Sequence, residues 1–451
     1  MPAAGGALKA RLLERLAPPL RRLVEEAARV AEDQGVAAYV VGGAVRDLLM
    51  GRAFADVDVV VVGDAACLAR RLAGQLGGGV VVFDAFGTAR VEVGGVRLDL
   101  AGARTERYPR PGALPQPRPA GTIEDDLFRR DFTINAMAIP LTGDGRELVD
   151  PWGGYQDLQS RRLRALHPQS FIDDPTRLFR AVRLSVRYAF RIEPKTRSWM
   201  RGALAARAVE AISAERRGAE VRRCLSEHPA LPAARAFERW GLWDAACPTW
   251  HLLPRSARAL AGLDRLRACD PELLAHAGVG DPAQAGLACV AEGWLALEPR
   301  QAAERVNLLA ARLALTRQER RALASLQAAR RAMRALSRSG RRRVRPSTAD
   351  RLLAPLPGPA LAWVAAAGGG PDTSAAEWVK WYVRQGRHIR PRITGRQLLG
   401  LGCPAGPMMK ELLARLRAAV LDGRIREAAD EVAWVKRQLG RMRAAARRVP
   451  G

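Results

Sequence analysis

The sequence predicts an α+β fold: an N-terminal part with a small mixed β-sheet flanked by helices, followed by an all-α part. Short valine-rich runs bounded by glycine lie between residues 38 and 100 and are typical of strands. From about residue 165 onward, apolar residues recur at helical spacing, and no strand signal is found after residue 158. A chain of 451 residues is long enough for about three domains.

The N-terminal elements follow from local signals. Residues 7–33 have the periodicity of an amphipathic helix, and Pro18 with Pro19 should divide it in two. Gly94 and Gly95 separate two alternating runs, which predicts a hairpin. In chain order, the expected elements are strand 38–42, helix 44–50, strand 56–62, helix 64–75 and strands 80–83, 88–93 and 96–100.

A proline-rich stretch follows the predicted hairpin. Residues 104–122 contain five prolines and no periodicity, so they are predicted to form a loop. Unstructured loops of this length tend to be functional. Thr122, three residues before Asp125, marks the start of the next helix.

Two carboxylates lie close together in the predicted strand 56–62. Asp56 and Asp58 are two residues apart, and successive strand side chains alternate between faces, so both should point to one side. Such a pair suits Mg²⁺, and two ions roughly 3.5–4 Å apart commonly stabilise nucleotidyl displacement. Asp99 is a candidate third carboxylate. The alternative is a half-exposed strand with two solvated acids.

A glycine turn precedes the carboxylate pair. Gly42 and Gly43 lie between the predicted strand 38–42 and the helix that carries Arg46. This arrangement presents backbone N–H groups to an anion, and Arg46 would add a cation for a phosphate. The alternative is a tight turn followed by a surface arginine.

Charge and cysteine content narrow the class of protein. Lys and Arg number 73 against 46 Asp and Glu, and the net charge of +27 favours a polyanionic partner such as RNA or DNA. Arginine-rich codon usage is an alternative explanation for part of this excess of basic residues. The six cysteines include no CxxC pair, which argues against a zinc site. Reduced thiols in a cytoplasmic protein are the simpler interpretation. No signal peptide or apolar run of membrane-spanning length is recognised.

Five motifs occur in order along the chain. They are GGAVRD at 42–47, DVD at 56–58, RRDFTINAMA at 129–138, DDPTRLFRAVR at 173–183 and ISAERRGAE at 212–220. With these motifs the sequence resembles the class II tRNA nucleotidyltransferases and bacterial poly(A) polymerases, within the DNA polymerase beta superfamily. The resemblance is close over about residues 36–225 and fainter beyond.

The resemblance implies a site for Mg²⁺ and a nucleotide. It places Mg²⁺ on Asp56 and Asp58, which would be the catalytic residues. One departure is Asp173, where the family usually has Glu; Arg216 is expected to brace the neck. The nucleotide-binding residues implied are Gly43, Arg46, Arg130, Asp174, Arg177, Arg180 and Arg183.

Base selection can be worked out from two of these side chains. Asp174 offers only hydrogen-bond acceptors and Arg177 only donors. Cytosine and adenine present an amine donor beside a ring-nitrogen acceptor, whereas guanine and uracil present the reverse, so the pair favours C and A. Helical spacing also places Arg177, Arg180, Arg183 and Arg187 on one face. By itself this spacing favours a solvated basic face, and the family resemblance instead favours nucleotide binding.

The predicted activity is addition of CCA to tRNA 3′ ends from CTP and ATP, with release of pyrophosphate. The alternatives are an A-adding enzyme of a split CC/A system, a poly(A) polymerase, a nucleotidyltransferase acting on small molecules or proteins, and a non-catalytic RNA-binding protein. Family members that add only CC lack a flexible loop between the DxD and RRD motifs, so the stretch 104–122 favours ATP use.

Four domains are expected. They are a nucleotidyltransferase head at 1–163, a helical neck with the nucleotide-selecting motif at 164–235, a helical body at 236–345 and a basic helical tail at 346–451. The tail, together with Arg341–Arg343, is expected to bind tRNA.

Overall fold

The computed structural model describes residues 7–54, 56–83, 87–143, 148–338, 344–368 and 370–446. The chain divides into two compact units, Met1–Arg217 and Gly218–Gly451. All strands lie in the first unit, and the described part of the second contains only helices and connecting segments, so the predicted α+β class is confirmed. The division into four domains stays a prediction.

The first unit is built on a six-stranded mixed sheet with strand order β3-β4-β5-β2-β1-β8. Neighbouring strands are antiparallel except β2 and β5, which are parallel. The strands of this unit are β1 Ala38–Val41, β2 Asp58–Val61, β3 Gly79–Phe83, β4 Thr88–Val93, β5 Val96–Gly102, β6 Arg104–Arg107, β7 Gln116–Pro119, β8 Ala138–Pro140, β9 Arg162–Leu163 and β10 Arg191–Ile192.

Helices surround this sheet. Two residues separate the end of α1 from Pro18, the first residue of α2, which confirms the predicted break. Asp64 caps α4 by accepting the N–H groups of Ala66 and Cys67. The helices are α1 Ala7–Arg15, α2 Pro18–Asp33, α3 Gly43–Leu49, α4 Ala65–Leu76, α5 Ile123–Phe128, α6 Gly154–Gln159, α7 Ser170–Asp173, α8 Thr176–Arg187, α9 Pro194–Ala205 and α10 Ala214–Leu225, the last crossing into the second unit.

The two faces of the sheet have different surroundings. One face packs on α1, α2 and α4 through a large apolar core that contains Val59 and Leu98. The other face carries a smaller core in which Val60 packs with Ile123 and Leu127 of α5. Because alternate strand residues share a face, Asp58 lies on the same face as Val60. The smaller core therefore leaves room on this face for polar groups.

A single row of residues crosses the sheet on this second face. Val41 is the register partner of Asp58, Asp58 of Asp99, Asp99 of Arg90, and Arg90 of Val81. Val41 is also opposite Ala138 of β8, so the row reaches all six strands and brings together side chains that lie far apart in the chain.

Three sequence predictions were wrong in detail. Residues 104–122 are not a plain loop, since β6 and β7 pair as an antiparallel hairpin. Strands do not stop after residue 158, because β9 and β10 form a short parallel pair. Asp56 lies before β2, which begins at Asp58, so the two carboxylates do not share a strand. Each error arises where tertiary contacts decide a short element whose local signal is weak.

The second unit is a stack of helices. In the sequence, Thr316 with Glu319 and Thr394 with Gln397 have the three-residue spacing that predicts a capping box, and the structure confirms both. No helix in the described ranges is long and apolar enough to cross a membrane. Within the described ranges, the α-helices after α10 are Leu231–Arg239, Leu242–Ala246, Pro254–Cys269, Pro271–Ala277, Pro282–Leu295, Ala302–Leu313, Arg317–Ala324, Leu326–Arg338, Pro346–Leu353, Gly358–Ala367, Ser374–Arg384, Gly395–Gly400, Pro407–Leu421 and Ala428–Ala446.

Candidate active site

A cavity of about 410 Å³ in the first unit collects most of the predicted site residues. Asp56 and Arg183 do not line it, and Arg183 is buried beside it in α8. Residues not assigned a role from the sequence, Glu106 and Tyr108 among them, also contribute. The predicted residues in its wall are Gly43, Arg46, Asp58, Arg130, Asp174, Arg177 and Arg180.

The carboxylates at the start of β2 are exposed, and neither Asp56 nor Asp58 forms a hydrogen bond or ion pair with another described residue. Partial desolvation by the surrounding protein raises the pKa of Asp58; Arg130 opposes this shift, while Asp99 and Asp56 add to it. The described residues contain no group of three or more metal-binding side chains. Mg²⁺ commonly takes one or two carboxylates and completes its shell with water and substrate phosphates, so Asp56 and Asp58 fit that ion.

Asp99 lies beside Asp58 but already has a partner. Arg90 donates its Nε to Asp99 Oδ1 at 2.7 Å and its Nη2 to Oδ2 at 3.1 Å. Both side chains remain about half exposed. The pair forms the next part of the row that crosses the sheet.

Gly42 is required by the position of Arg130. It adopts a φ of 72°, and a Cβ atom there would lie 2.9 Å from Arg130 Nη1. Arg130 is fixed from behind by Asp126, which is fully buried and accepts from its Nη2 at 2.9 Å. A side chain at position 42 would therefore displace this arginine from the cavity.

A hydrogen-bonded chain links the start of α3 to α8. Arg46 donates to Asp47 at 3.0 and 2.8 Å and to Asn135 Oδ1 at 2.6 Å. Asn135 donates to Asp131 at 2.9 Å, and Arg180 donates twice to the other oxygen of Asp131, at 2.8 and 2.6 Å. The two cavity arginines are thus held in fixed orientations without a ligand.

Asp131 is the buried centre of this chain. Burial alone would raise its pKa, but the charge of Arg180 and the hydrogen bond from Asn135 outweigh burial and lower the pKa to about 2. The carboxylate is therefore ionised at neutral pH and keeps Arg180 in place.

The two predicted base-selecting residues lie on opposite sides of the α7–α8 junction. Asp174 directly follows α7, and its Oδ1 accepts from Thr176 N at 3.0 Å, Thr176 Oγ1 at 2.6 Å and Arg216 Nη2 at 2.7 Å. Arg177 is only 5% exposed and donates to Ser170 Oγ at 2.8 Å and to the Arg129 carbonyl at 2.7 Å. The pair is therefore oriented by protein contacts.

The basic face predicted for α8 is not simply solvated. Arg177 and Arg183 are both buried, whereas the Arg180 side chain remains about one-third exposed. The guanidinium groups of Arg177 and Arg180 donate to polar partners within the first unit. Arginines spaced along a helix look the same in sequence whether they face solvent or a buried carboxylate.

Sequence reasoning missed two side chains that line the cavity, Glu106 and Tyr108, and a third, Asp126, that holds two arginines of its wall. Glu106 accepts from Arg129 Nη1 at 2.9 Å and from the Tyr108 hydroxyl at 3.0 Å. Burial raises the pKa of Tyr108, which stays a neutral donor. Asp126 holds both Arg129 and Arg130. A signal for Glu106 and Tyr108 was present in their two-residue spacing, which is that of one strand face.

The tip of the β6–β7 hairpin is docked beside Asp174. The Gly112 N–H donates to the Asp173 carbonyl at 3.1 Å, and the Gly112 carbonyl accepts from Arg216 Nη1 at 2.9 Å. Gly112 has a φ of 70°, and a Cβ atom there would lie 2.7–2.8 Å from atoms of Ala211. Arg216 thus touches both the hairpin tip and the Asp174 carboxylate.

Known proteins are similar to this chain in sequence and fold. Residues 38–164 match the family described as Poly A polymerase head domain. The chain is 32% identical to the A-adding tRNA nucleotidyltransferase of Halalkalibacterium halodurans, over 92% of this chain and 91% of that protein. It is 33% identical to the CC-adding tRNA nucleotidyltransferase of Deinococcus radiodurans, over 89% of each. The fold and these matches thus define a nucleotidyltransferase with a poly(A) polymerase head. The chain belongs to the tRNA nucleotidyltransferase family.

Other similar proteins differ in length or have solved structures. The chain spans 20% of the A-adding enzyme of Aquifex aeolicus and 46% of that of Geobacter sulfurreducens, at 48% and 31% identity. These matches cover 37% and 92% of this chain. The apo form II structure of a CCA-adding enzyme matches with a TM-score of 0.79 and 29% identity, over 94% of this chain and 97% of that one. The Thermotoga maritima CCA-adding enzyme complexed with tRNA matches with a TM-score of 0.73 and 28% identity, over 96% and 98%.

Proposed function

We propose that this protein is a Mg²⁺-dependent nucleotidyltransferase that adds CCA to tRNA 3′ ends from CTP and ATP. One observation carries the proposal: Asp58 and the base-selecting pair Asp174 and Arg177 line the same cavity. A group that activates the reaction and groups that select the base thus meet around one space without a nucleic-acid template.

The reaction is displacement at the α-phosphate of the incoming nucleotide. The tRNA 3′-hydroxyl oxygen forms the new bond to this phosphorus, and the bond to the β-phosphate breaks to release pyrophosphate. The backbone at Gly43 and the cations of Arg46 and Arg130 bind the triphosphate. Mg²⁺, held by Asp56 and Asp58, would stabilise the negative charge that develops at the reacting phosphate.

Base selection depends on which hydrogen-bonding groups the cavity leaves available. The Asp174 Oδ1 atom is engaged by Thr176 and Arg216, so Oδ2 is the acceptor for the exocyclic amine of C or A. Arg177 supplies the donor for the ring nitrogen. Guanine or uracil would leave both groups unpaired in a buried position, which penalises those bases strongly. Arg180 and Arg183 support the nucleotide from the same helix.

The proposed polynucleotide partner is tRNA. The support is the net charge of +27 and the tRNA complex of the Thermotoga maritima relative. The basic tail at 346–451 would supply much of the contact. Arg341–Arg343, predicted to take part, lie outside the described residues. A cytoplasmic location follows from this substrate.

A second candidate is addition of A alone. The relatives from Geobacter sulfurreducens and Halalkalibacterium halodurans align over 92% of this chain, and both are named as A-adding enzymes. The base-selecting pair accepts C and A alike, so it does not separate the two activities.

The deciding experiment uses three tRNAs with purified protein, CTP and ATP. One tRNA ends at the discriminator base, one after the first added C and one after both. A CCA-adding enzyme completes all three. Extension of the CC-ending tRNA alone would establish the A-adding activity, and no extension of any of them would refute the proposed function.

A further inference from the structure

A second cavity adjoins the first across the catalytic carboxylate. It has a volume of about 320 Å³, and its wall includes Asp58, Arg129 and Arg130, which also line the larger cavity. On its other side lie Phe83, Arg90 and Asp99. None of the residues predicted to read the base or bind the triphosphate, apart from Arg130, reaches this second space.

Phe83 is the unusual part of this second cavity. It ends the edge strand β3 and is 44% exposed, although most large apolar side chains of the described chain are buried. In the sheet register, Phe83 is opposite Thr88, and Thr88 is opposite Ala101. Ala101 is in turn opposite Val60, which shares a face with Asp58. Phe83 therefore lies on the same sheet face as Asp58 and Arg90, and its exposed ring borders the cavity.

Arg90 provides a cation between Phe83 and Asp58. It gives Nε and Nη2 to Asp99, which leaves Nη1 without a hydrogen-bond partner among the described residues. A groove with an exposed aromatic ring and an available guanidinium nitrogen has the features that bind single-stranded nucleic acid, through base stacking and phosphate contact.

We propose that this second cavity binds the 3′ end of the acceptor RNA, with the penultimate base stacked on Phe83 and its phosphate contacted by Arg90. The inference rests on the proposed function. The incoming nucleotide fills the first cavity, so the attacking 3′-hydroxyl must approach Asp58 from elsewhere, and the second cavity shares Asp58. Three strand spacings of about 4.8 Å each separate β2, which carries Asp58, from β3, which carries Phe83. With the 3′-hydroxyl at Asp58, Phe83 is too far away to stack on the terminal base. The distance suits the penultimate base.

The test is a double-mutant cycle between protein and RNA. A minihelix that ends after both added cytidines is compared with one that is abasic at the penultimate position. Affinities are measured by fluorescence anisotropy with a non-reactive α,β-methylene analogue of ATP. Loss of stacking on one base corresponds to a factor of about 5–150 in affinity. Phe83→Ala should therefore weaken binding of the intact RNA by such a factor and leave binding of the abasic RNA unchanged.

Two further variants make the result specific. Phe83→Trp keeps an aromatic face and should retain the coupling. Val81→Ala is the matched control, since Val81 lies on the same strand and face, is 54% exposed and does not line the cavity; it should change neither affinity. Arg90→Gln should reduce the slope of log affinity against log salt by about 0.7.

Equal losses for intact and abasic RNA, or equal coupling in Phe83→Ala and Val81→Ala, would overturn the assignment of Phe83. The cycle measures binding and not turnover. Absence of nucleotide addition by the unmodified protein would thus refute the proposed function, while absence of coupling would refute this subsite.

Discussion

Replacing Asp174 tests whether the cavity reads the base. Asp174→Ala removes one of the two groups that a wrong base would leave unpaired. Arg177 is 5% exposed, so an unpaired donor or acceptor here costs about 1–3 kcal/mol, a factor of about 5–150 in rate. The preference for ATP over GTP should fall by one such factor, because the mismatch at Arg177 remains. Single-turnover incorporation of all four nucleotides measures this preference directly.

Two neighbouring variants sharpen this experiment. Asp173→Asn changes the adjacent carboxylate, which does not line the cavity and holds Gly112 only through its backbone, so selectivity should be unchanged. Arg216→Ala releases Asp174 from its partner and should lower selectivity in the same direction by a smaller factor. If Asp174→Ala slows all four nucleotides equally, the pair is structural and the base-reading argument fails.

Four more results are expected. Asp58→Asn should abolish addition and leave tRNA affinity nearly unchanged; full turnover in Mg²⁺ would contradict the metal assignment. Asp131→Asn should lower the free energy of unfolding by about 2 kcal/mol at pH 7, measured in urea. Because the folded pKa lies below the unfolded value of 3.8, this contribution is present above about pH 4 and disappears as pH falls towards 2. Deleting about residues 107–119 should leave tRNA products that end at CC, if the β6–β7 hairpin is needed for the change from CTP to ATP. Continued addition of A by the deletion variant would show that the hairpin is not needed for this change. Truncation after about residue 345 should weaken tRNA binding and reduce its salt dependence, and unchanged affinity would assign the tail to folding or assembly.

The sequence was sufficient where local signals are strong. Glycines at 94 and 95 marked the hairpin between β4 and β5, and both adopt positive φ there. The Thr316 and Thr394 capping boxes were likewise readable because three-residue spacing alone defines them. Most of the proposed site residues could be predicted from the sequence because they occur in short motifs that keep their order along the chain.

The sequence was insufficient where distant contacts decide the structure. The five prolines in residues 104–122 indicated a loop, so the β6–β7 hairpin was not predicted. Its two strands pair across an eight-residue connection. Asp126 gave no sign that it would be buried under two arginines, because an acidic residue early in a helix is equally common at the surface. The pairing of Asp99 with both Asp58 and Arg90 depends on sheet order, which local patterns do not reveal.

The single parallel pairing in the six-stranded sheet affects how the first unit would acquire the proposed activity. Asp58 and Asp99 are neighbours only when β2 pairs with β5, and the chain between them must first form α4 and the β3–β4 hairpin. Pairings between distant segments form slowly because the intervening chain must be ordered first. During refolding, helical circular dichroism should therefore recover before nucleotide addition. Recovery of catalysis would mark the moment at which the sheet is complete.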